Sequence, residues 1–170
     1  MTALAYVMGD GRGAVDTLLA DAAALLQAEG VSVAGVVQVN TEAEALVRCD
    51  MDLQILGVAQ TVRISQRLGN AARGCRLDPQ GLAAAVGLVE AQLAGKSLLI
   101  VNKFGKTEAE GAGFRPVIGQ ALGAGIPVLV GLNRENLEGF ESFAEGLGRE
   151  LPARIEAILA WCFEQCAEGA

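Results

Sequence analysis

The sequence opens with a short apolar segment, a glycine-rich turn and an amphipathic segment, and this order strongly restricts the fold. Residues 4–8 are apolar and are followed by the turn GDGRG at 9–13. Apolar side chains then recur at helical spacing until Gly30, which predicts a helix. Residues 31–39 are apolar and rich in β-branched side chains, and they follow Gly30 as a strand follows a helix in a βαβ unit. The sequence therefore predicts two parallel strands joined through a helix.

The remainder of the chain continues this alternation, apart from one predicted hairpin. Residues 51–55 and 62–64 alternate apolar and polar side chains on either side of Gly57, as in a β-hairpin, and an irregular loop is predicted from Leu68 to Pro79. The later predicted elements are helices over 82–93 and 114–122, strands over 97–101 and 127–131, and two helical patterns separated near Pro152. We predict one α/β domain over residues 1–170, a three-layer fold with a mostly parallel sheet and an inserted hairpin.

The composition excludes several classes of function. The chain has 13 basic and 20 acidic residues, and its formal net charge of -7 opposes binding to nucleic acid or to an anionic membrane. It has no histidine, which excludes Ser/His and Cys/His catalysis and His-ligated zinc. The start of the chain lacks the basic segment of a signal peptide, and the apolar runs are too short to cross a bilayer. We therefore expect a cytoplasmic protein without membrane insertion and without a nucleic-acid partner.

The sequence favours a structural role for its four cysteines over a set of disulfide bonds. They are Cys49, Cys75, Cys162 and Cys166. Without export signals, reduced and buried thiols are the expectation. Cys162 and Cys166 share one face of a predicted helix, but a thiolate metal site would need two further soft ligands. We predict no metal site.

The glycine-rich turn is the first candidate binding site. Its candidate residues are Gly9, Gly11, Arg12 and Gly13. A turn between a strand and a helix N-terminus can hold an anion with backbone N–H groups. The Walker sequence GxxxxGK[ST] is absent, since the first lysine is Lys96. Two interpretations remain open, an anion-binding turn and a tight turn that uses glycine for backbone reasons alone.

Polar and basic side chains follow the predicted strand over 97–101. They are Asn102, Lys103, Lys106 and Arg115. Open α/β sheets bind ligands at the carboxyl ends of their strands, so these residues are candidate contacts for an oxyanion. In the alternative interpretation, Glu108 and Glu110 pair with the lysines on a solvated turn.

A third cluster of candidates lies in the segment RISQRLGNAARGCRLD at 63–78. From it we select Ser65, Arg73 and Arg76, because arginine forks suit phosphate and other tetrahedral oxyanions. We expect Arg73 or Arg76 to lie near Lys103 or Lys106 at the ligand-binding edge of the sheet. Alternatively, the arginines pair with nearby aspartates and hold the hairpin.

Three segments carry a resemblance to a known family. They are CDMDLQIL, ISQRLGNAARGCRLDP and VNKFGKTEAEGAGFRP. Through them the chain resembles family 2478 of the bacterial domains of unknown function. The resemblance implies a P-loop-like α/β fold related to small nucleoside triphosphatases that carry a hairpin after the second strand. It also implies a link to molybdate transport, because genes of the family often lie near molybdate-transport genes.

The resemblance to the nucleoside triphosphatases also indicates what this chain lacks. Their glycine loop corresponds to Gly9 through Gly13, but their phosphate-binding lysine and magnesium-binding hydroxyl would fall at 14–16, which read Ala-Val-Asp. Their acidic pair corresponds to Asn102-Lys103. The loss of a magnesium ligand together with the gain of a cation would suit an oxyanion held without a metal.

These observations give three hypotheses of function. The first is a non-hydrolytic binding or regulatory module for a nucleotide, another phosphate-bearing ligand or a tetrahedral oxyanion such as molybdate, with no further cofactor. The second is a nucleoside triphosphatase or related transferase that uses Arg12, Lys103 or Lys106 in place of the missing lysine. The third is a structural interaction protein, with a homodimer formed through the helix of Trp161.

Overall fold

The described part of the chain in this computed structural model comprises residues 3–9, 14–41, 50–57, 60–63, 65–66, 76–77, 79–102 and 104–168. Besides a short 3-10 helix (Arg134–Asn136), these residues form nine strands and six α-helices. In chain order they are β1 (Leu4–Met8), α1 (Ala14–Ala28), β2 (Val33–Thr41), β3 (Asp50–Ile55), β4 (Gln60–Arg63), β5 (Ser65–Gln66), β6 (Arg76–Leu77), α2 (Pro79–Gln92), β7 (Leu98–Val101), α3 (Lys106–Ala109), α4 (Arg115–Gly123), β8 (Val128–Leu132), α5 (Leu137–Ala144), β9 (Gly148–Leu151) and α6 (Ile155–Glu168). None of these helices is both long and apolar enough to cross a membrane.

A seven-stranded, mostly parallel sheet confirms the predicted fold class. The strand order is β4-β3-β2-β7-β8-β1-β9. The five strands from β2 to β9 run parallel, whereas β3 pairs antiparallel with both β2 and β4. The antiparallel pair β3 and β4 is the predicted inserted hairpin.

Helices cover both faces of this sheet, which gives the predicted three layers. Along β7, Leu98 and Ile100 join an apolar cluster with α1 and α6, while Leu99 and Val101 join a second cluster with α2, α4 and α5. This alternation follows from the two-residue period of a strand. All four residues of β7 are fully buried, as expected of a strand covered on both faces.

The structure differs from the sequence expectation at two short strands. Strand β9 lies between the two helical patterns near the end of the chain, where no strand was expected, and it pairs with β1 at the edge of the sheet. Its sequence, GREL, has no β-branched residue, so the pairing with β1 overrides a weak local preference. Residues 76–77 of the expected irregular loop form β6, which pairs with β5, and helix α2 already begins at Pro79.

Two expectations concern helix α6. Trp161 is buried against α1 with 5% of its surface exposed, so its ring is a core side chain; the homodimer stays a prediction. Cys162 and Cys166 are free thiols, while Cys49 and Cys75 lie outside the described residues. Burial, and secondarily Cys166, raises the pKa of the Cys162 thiol to about 12. Cys162 therefore stays protonated at neutral pH, which makes it a poor metal ligand.

Two glycines allow helix α1 to pack closely against the carboxyl ends of β1 and β8. A Cβ atom at Gly9 would lie 2.6 Å from Cγ2 of Val15, in the first turn of α1. A Cβ atom at Gly131, in β8, would lie 2.6 Å from both Cδ1 of Leu19 and the backbone oxygen of Asn102, and 3.0 Å from Cγ1 of Val15. Separations below 3.0 Å force neighbouring atoms to move. One of these atoms at Gly131 belongs to the backbone, so this packing requires glycine there, whereas at Gly9 the close atom is a methyl group of Val15.

We predict that Gly131→Ala destabilises the protein and that Gly119→Ala does not. At Gly131 the added methyl group overpacks the contact between α1 and β8, which costs about 1–3 kcal/mol. Gly119 lies on α4 and a Cβ atom there would meet nothing within 4 Å, so alanine should stabilise by about 0.5–1 kcal/mol. Urea unfolding measures both free energies. Equal stability of the two variants would contradict the packing argument.

Candidate functional site

The carboxyl ends of three neighbouring parallel strands meet beside the N-terminus of α1. The strands are β7, β8 and β1, in that order across the sheet. On the face covered by α1, their ends carry Asn102, Gly131 and Gly9. Open α/β sheets bind ligands at this edge, and the first N–H groups of a helix lack partners within the helix. The described part of the chain thus places Gly9 and Asn102, two of the candidate residues, at one edge.

Asn102 is the polar side chain buried at this edge. Its backbone N–H donates to the oxygen of Val36 at 3.2 Å, so the pairing of β7 with β2 continues to this residue, and the alternation places Asn102 on the same face as Ile100. The residue is 2% exposed. Its backbone oxygen lies beside Gly131, which itself lies under Val15 of α1.

The side-chain amide of Asn102 is not satisfied by the described residues. Neither Nδ2 nor Oδ1 has a hydrogen-bond partner among them. A buried amide without a partner costs about 1–3 kcal/mol, which a fold retains only where the group serves another purpose or gains a further partner. The amide therefore offers two donors and an acceptor at the edge where ligands bind.

The loop after β7 is held by Glu108, whose role the sequence interpretation missed. Its carboxylate accepts the backbone N–H of Gly105 at 2.9 Å and that of Phe114 at 3.0 Å, and the residue is 4% exposed. A side chain at Gly113, whose φ is 59°, would overlap Oε2. Glu108 is thus a buried residue that holds the backbone, not a residue of a solvated turn, while the alternative in which Glu108 and Glu110 pair with lysines stays a prediction. The sequence feature that indicates this role is the position of Glu108 three residues after Gly105, as in a capping box.

Arg115 fixes the other end of this loop. Its Nη1 donates to the oxygen of Ala109 at 3.3 Å, and its guanidinium lies 5.1 Å from the centre of the Phe143 ring. Phe143 in turn stacks on Phe104, which follows Asn102 by two residues, with ring centres 5.5 Å apart. Arg115 thus has structural partners within the fold, and a contact with an anion stays a prediction.

The other candidate residues are only partly described. Lys106 is the first residue of α3 and its side chain is exposed. Ser65 and Arg76 lie on the paired strands β5 and β6, of which the backbone alone is described. The candidates outside the described residues are Gly11, Arg12, Gly13, Arg73 and Lys103. That Arg73 or Arg76 lies near Lys103 or Lys106 therefore stays a prediction.

A separate pocket has electrostatics that do not suit an anion. It has a volume of about 290 Å³ and is lined by Tyr6, Phe140, Glu141, Ala144, Gly146 and Gly148. Burial, and then the carboxylates of Glu150 and Glu141, raises the pKa of Tyr6. Because negative charge surrounds this phenol, we place the candidate anion site at the edge that contains Asn102 instead.

The sequence matches the family described as "Protein of unknown function (DUF2478)" over residues 4–161. The chain belongs to this family. The match runs from β1 into α6, so it includes every element that forms the candidate site. The predicted family resemblance is confirmed.

One curated relative and two solved structures extend the comparison. The "Molybdenum import ATP-binding protein ModC 2" of Bradyrhizobium diazoefficiens is 37% identical over 148 residues, which is 86% of this DUF2478 chain and 16% of that protein. A human cancer-related nucleoside triphosphatase has a TM-score of 0.66 at 15% identity, covering 99% of this chain and 98% of the other. THEP1 from the hyperthermophile Aquifex aeolicus has a TM-score of 0.62 at 10% identity, covering 94% and 95%. These likenesses show a P-loop-like fold.

We predict that Glu108→Gln destabilises the protein by about 1–3 kcal/mol, because the amide nitrogen would face a backbone N–H that needs an acceptor. Glu110 lies two residues away and its side chain is exposed, so Glu110→Gln should change the free energy of unfolding by less than about 0.5 kcal/mol. Thermal and urea unfolding of the two variants measure the difference. Wild-type stability in Glu108→Gln would show that the carboxylate does not hold the loop.

Proposed function

We propose that the protein binds a nucleotide, another phosphate-bearing ligand or a tetrahedral oxyanion at the carboxyl ends of β7, β8 and β1, without hydrolysing it. The observation that carries the proposal is the buried side-chain amide of Asn102, which has no partner among the described residues. An oxyanion at this edge would accept from Nδ2 and replace the missing hydrogen bond. Hydrogen bonds to a charged partner are stronger than those between neutral groups.

Helix α1 supplies the second element of the proposed site. It has 15 residues, and its first turn is held against the sheet at Gly9 and Gly131. A helix N-terminus carries a partial positive charge and free N–H groups, which together attract anions. Lys106 is the first residue of α3 and its side chain is exposed, and we propose that it adds a cation to this site.

The names of the related proteins support the choice of ligand class. One protein that shares the fold is named a nucleoside triphosphatase, and the curated relative is named a molybdenum import ATP-binding protein. We therefore propose a nucleotide or molybdate as the ligand. A functional link to molybdate transport is part of the same proposal, and we expect the partner to be a component of such an import system.

Absence of hydrolysis is proposed from the residues of the two loops. Residues 14–16 read Ala-Val-Asp, which supplies no Walker lysine or hydroxyl, and Asn102 is an amide. Phosphoryl transfer needs positioned cations to stabilise the charge of the transition state, together with a group that orients the nucleophile. We expect no release of phosphate from ATP or GTP in the presence of magnesium. Turnover at about 1 per second would instead support the alternative hypothesis of a divergent nucleoside triphosphatase.

A ligand panel combined with Asn102→Leu tests the binding proposal. Thermal shift with ATP, ADP, GTP, phosphate, sulfate and molybdate should show stabilisation by at least one compound, about 2.7 kcal/mol at a concentration 100 times its Kd. Asn102→Leu replaces the amide by an apolar side chain of similar shape. We expect the affinity to fall by about tenfold or more, and the ligand-free protein to be as stable as wild type or more stable.

The matched control is Gln38→Leu. Gln38 is also a buried amide, at 5% exposure, but it lies on β2 beside Leu53, whose cluster is on the opposite face of the sheet. This variant should retain the wild-type affinity. If Asn102→Leu destabilised the ligand-free protein and left ligand binding unchanged, Asn102 would be a structural residue and the proposal would fail.

A further inference from the structure

Nucleotides are usually bound as magnesium complexes, and the described part of the edge does not fit that ion. Mg²⁺ is held by one or two carboxylates together with phosphate oxygens and water. The strand ends on the α1 face carry Asn102, Gly131 and Gly9, whose side chains offer no anionic oxygen. Among the described residues, no three His, Cys, Asp or Glu side chains come together as a metal-binding group.

The buried acidic residue of the adjoining segment, Glu108, already has hydrogen-bond partners within the fold. Both carboxylate oxygens of Glu108 accept backbone N–H groups, one from Gly105 and one from Phe114. These bonds fix the carboxylate between Gly105 and Phe114, so it cannot rotate towards a metal elsewhere at the edge without leaving a backbone N–H unpaired, at a cost comparable to that of the lost hydrogen bond.

Helix α1 carries one carboxylate in its first turn, on Asp16, and this side chain already takes part in an interaction. Acidic residues at this position stabilise the helix through its dipole. An experiment must therefore distinguish an effect of the Asp16 carboxylate from an effect of the Asn102 amide.

An amide and a carboxylate act on an anion in opposite ways. Nδ2 of Asn102 can donate directly to an oxyanion, whereas a carboxylate at the same place would repel it unless a cation lay between them. Because the amide is 2% exposed, water screens this interaction only weakly. The choice between amide and carboxylate at residue 102 therefore determines whether the anion is bound alone or with a divalent cation.

We infer that the site binds its anion directly, as the free oxyanion and not as a magnesium complex, with the Asn102 amide as the residue that sets this preference. The inference rests on the proposed function. It narrows the ligand class to metal-free ATP, free phosphate or molybdate, all of which present negatively charged terminal oxygens.

Titration calorimetry in EDTA and in magnesium tests the inference, with ATP, inorganic phosphate and molybdate as the probes. For the wild type, at least one probe should bind in EDTA with an affinity that magnesium does not raise. Asn102→Asp should lose at least about tenfold in affinity in EDTA, or 1.4 kcal/mol, because the carboxylate repels the probe. Magnesium should restore part of that loss for ATP, which binds the cation.

Two controls separate this effect from damage to the fold. Gln38→Glu introduces the same chemical change at a buried amide on the opposite face and should bind as wild type does. Asp16→Asn removes the carboxylate of α1 and should leave the response to magnesium unchanged. Because a buried carboxylate can unfold a protein, the thermal midpoints of all variants are measured alongside, and the wild-type comparison in EDTA and magnesium needs no variant.

The outcomes distinguish this inference from the proposal on which it rests. Wild-type binding that requires magnesium, or that magnesium strengthens tenfold, overturns the inference and leaves the proposed function standing. A folded Asn102→Asp variant that binds in EDTA as wild type does overturns the role of Asn102. Failure of all three probes under both conditions overturns the proposed function itself, and the inference with it.

Discussion

The close contact between helix α1 and the ends of β1 and β8 is the constraint on which the candidate site depends. Gly9 and Gly131 place no side-chain atoms at these two strand ends, so Val15 and Leu19 pack directly against the backbone there. Asn102 lies at the same strand ends, because its backbone oxygen is 2.6 Å from the position that a Cβ atom at Gly131 would take, and the residue is 2% exposed. A larger residue at Gly131 would therefore press against both α1 and Asn102. In the proposed function, the burial of the Asn102 amide strengthens its hydrogen bond to a bound anion.

Contacts within the protein hold the loop after β7 in one conformation without a ligand. Glu108 accepts two backbone N–H groups, Arg115 closes the loop on Ala109, and Phe104 packs edge to face against Phe140 with centres 5.2 Å apart. These interactions fix the backbone on the side of Asn102 that leads into α3. Binding groups that are fixed in advance lose less entropy when a ligand binds. The buried glutamate thus supports the backbone beside Asn102 through two hydrogen bonds.

Much of the fold, but less of the site, could be predicted from the sequence. The strand at 4–8 and the helix that follows the glycine turn, the hairpin strands on either side of Gly57 and the buried strand predicted at 97–101 carry strong local patterns, and the structure confirms these elements. Strand β9 could not be predicted, because its four residues become a strand only through pairing with β1. Asn102 was expected at the ligand edge from its place after a strand, but its lack of a partner depends on packing between distant segments. The role of Glu108 was missed because only the bond to Gly105 follows the capping-box spacing, whereas the bond to Phe114 depends on how the loop folds back.

The central claim, that the Asn102 amide meets an anion, is tested most directly by the NMR signals of its side-chain NH₂ group. Comparison with Asn102→Leu, which lacks that group, assigns the two proton resonances. On titration with ATP or molybdate in EDTA, the account predicts that these resonances shift together with the backbone amides of the first turn of α1, and that they saturate at the same concentration. An anion that binds to saturation while both Asn102 resonances stay in place would contradict it.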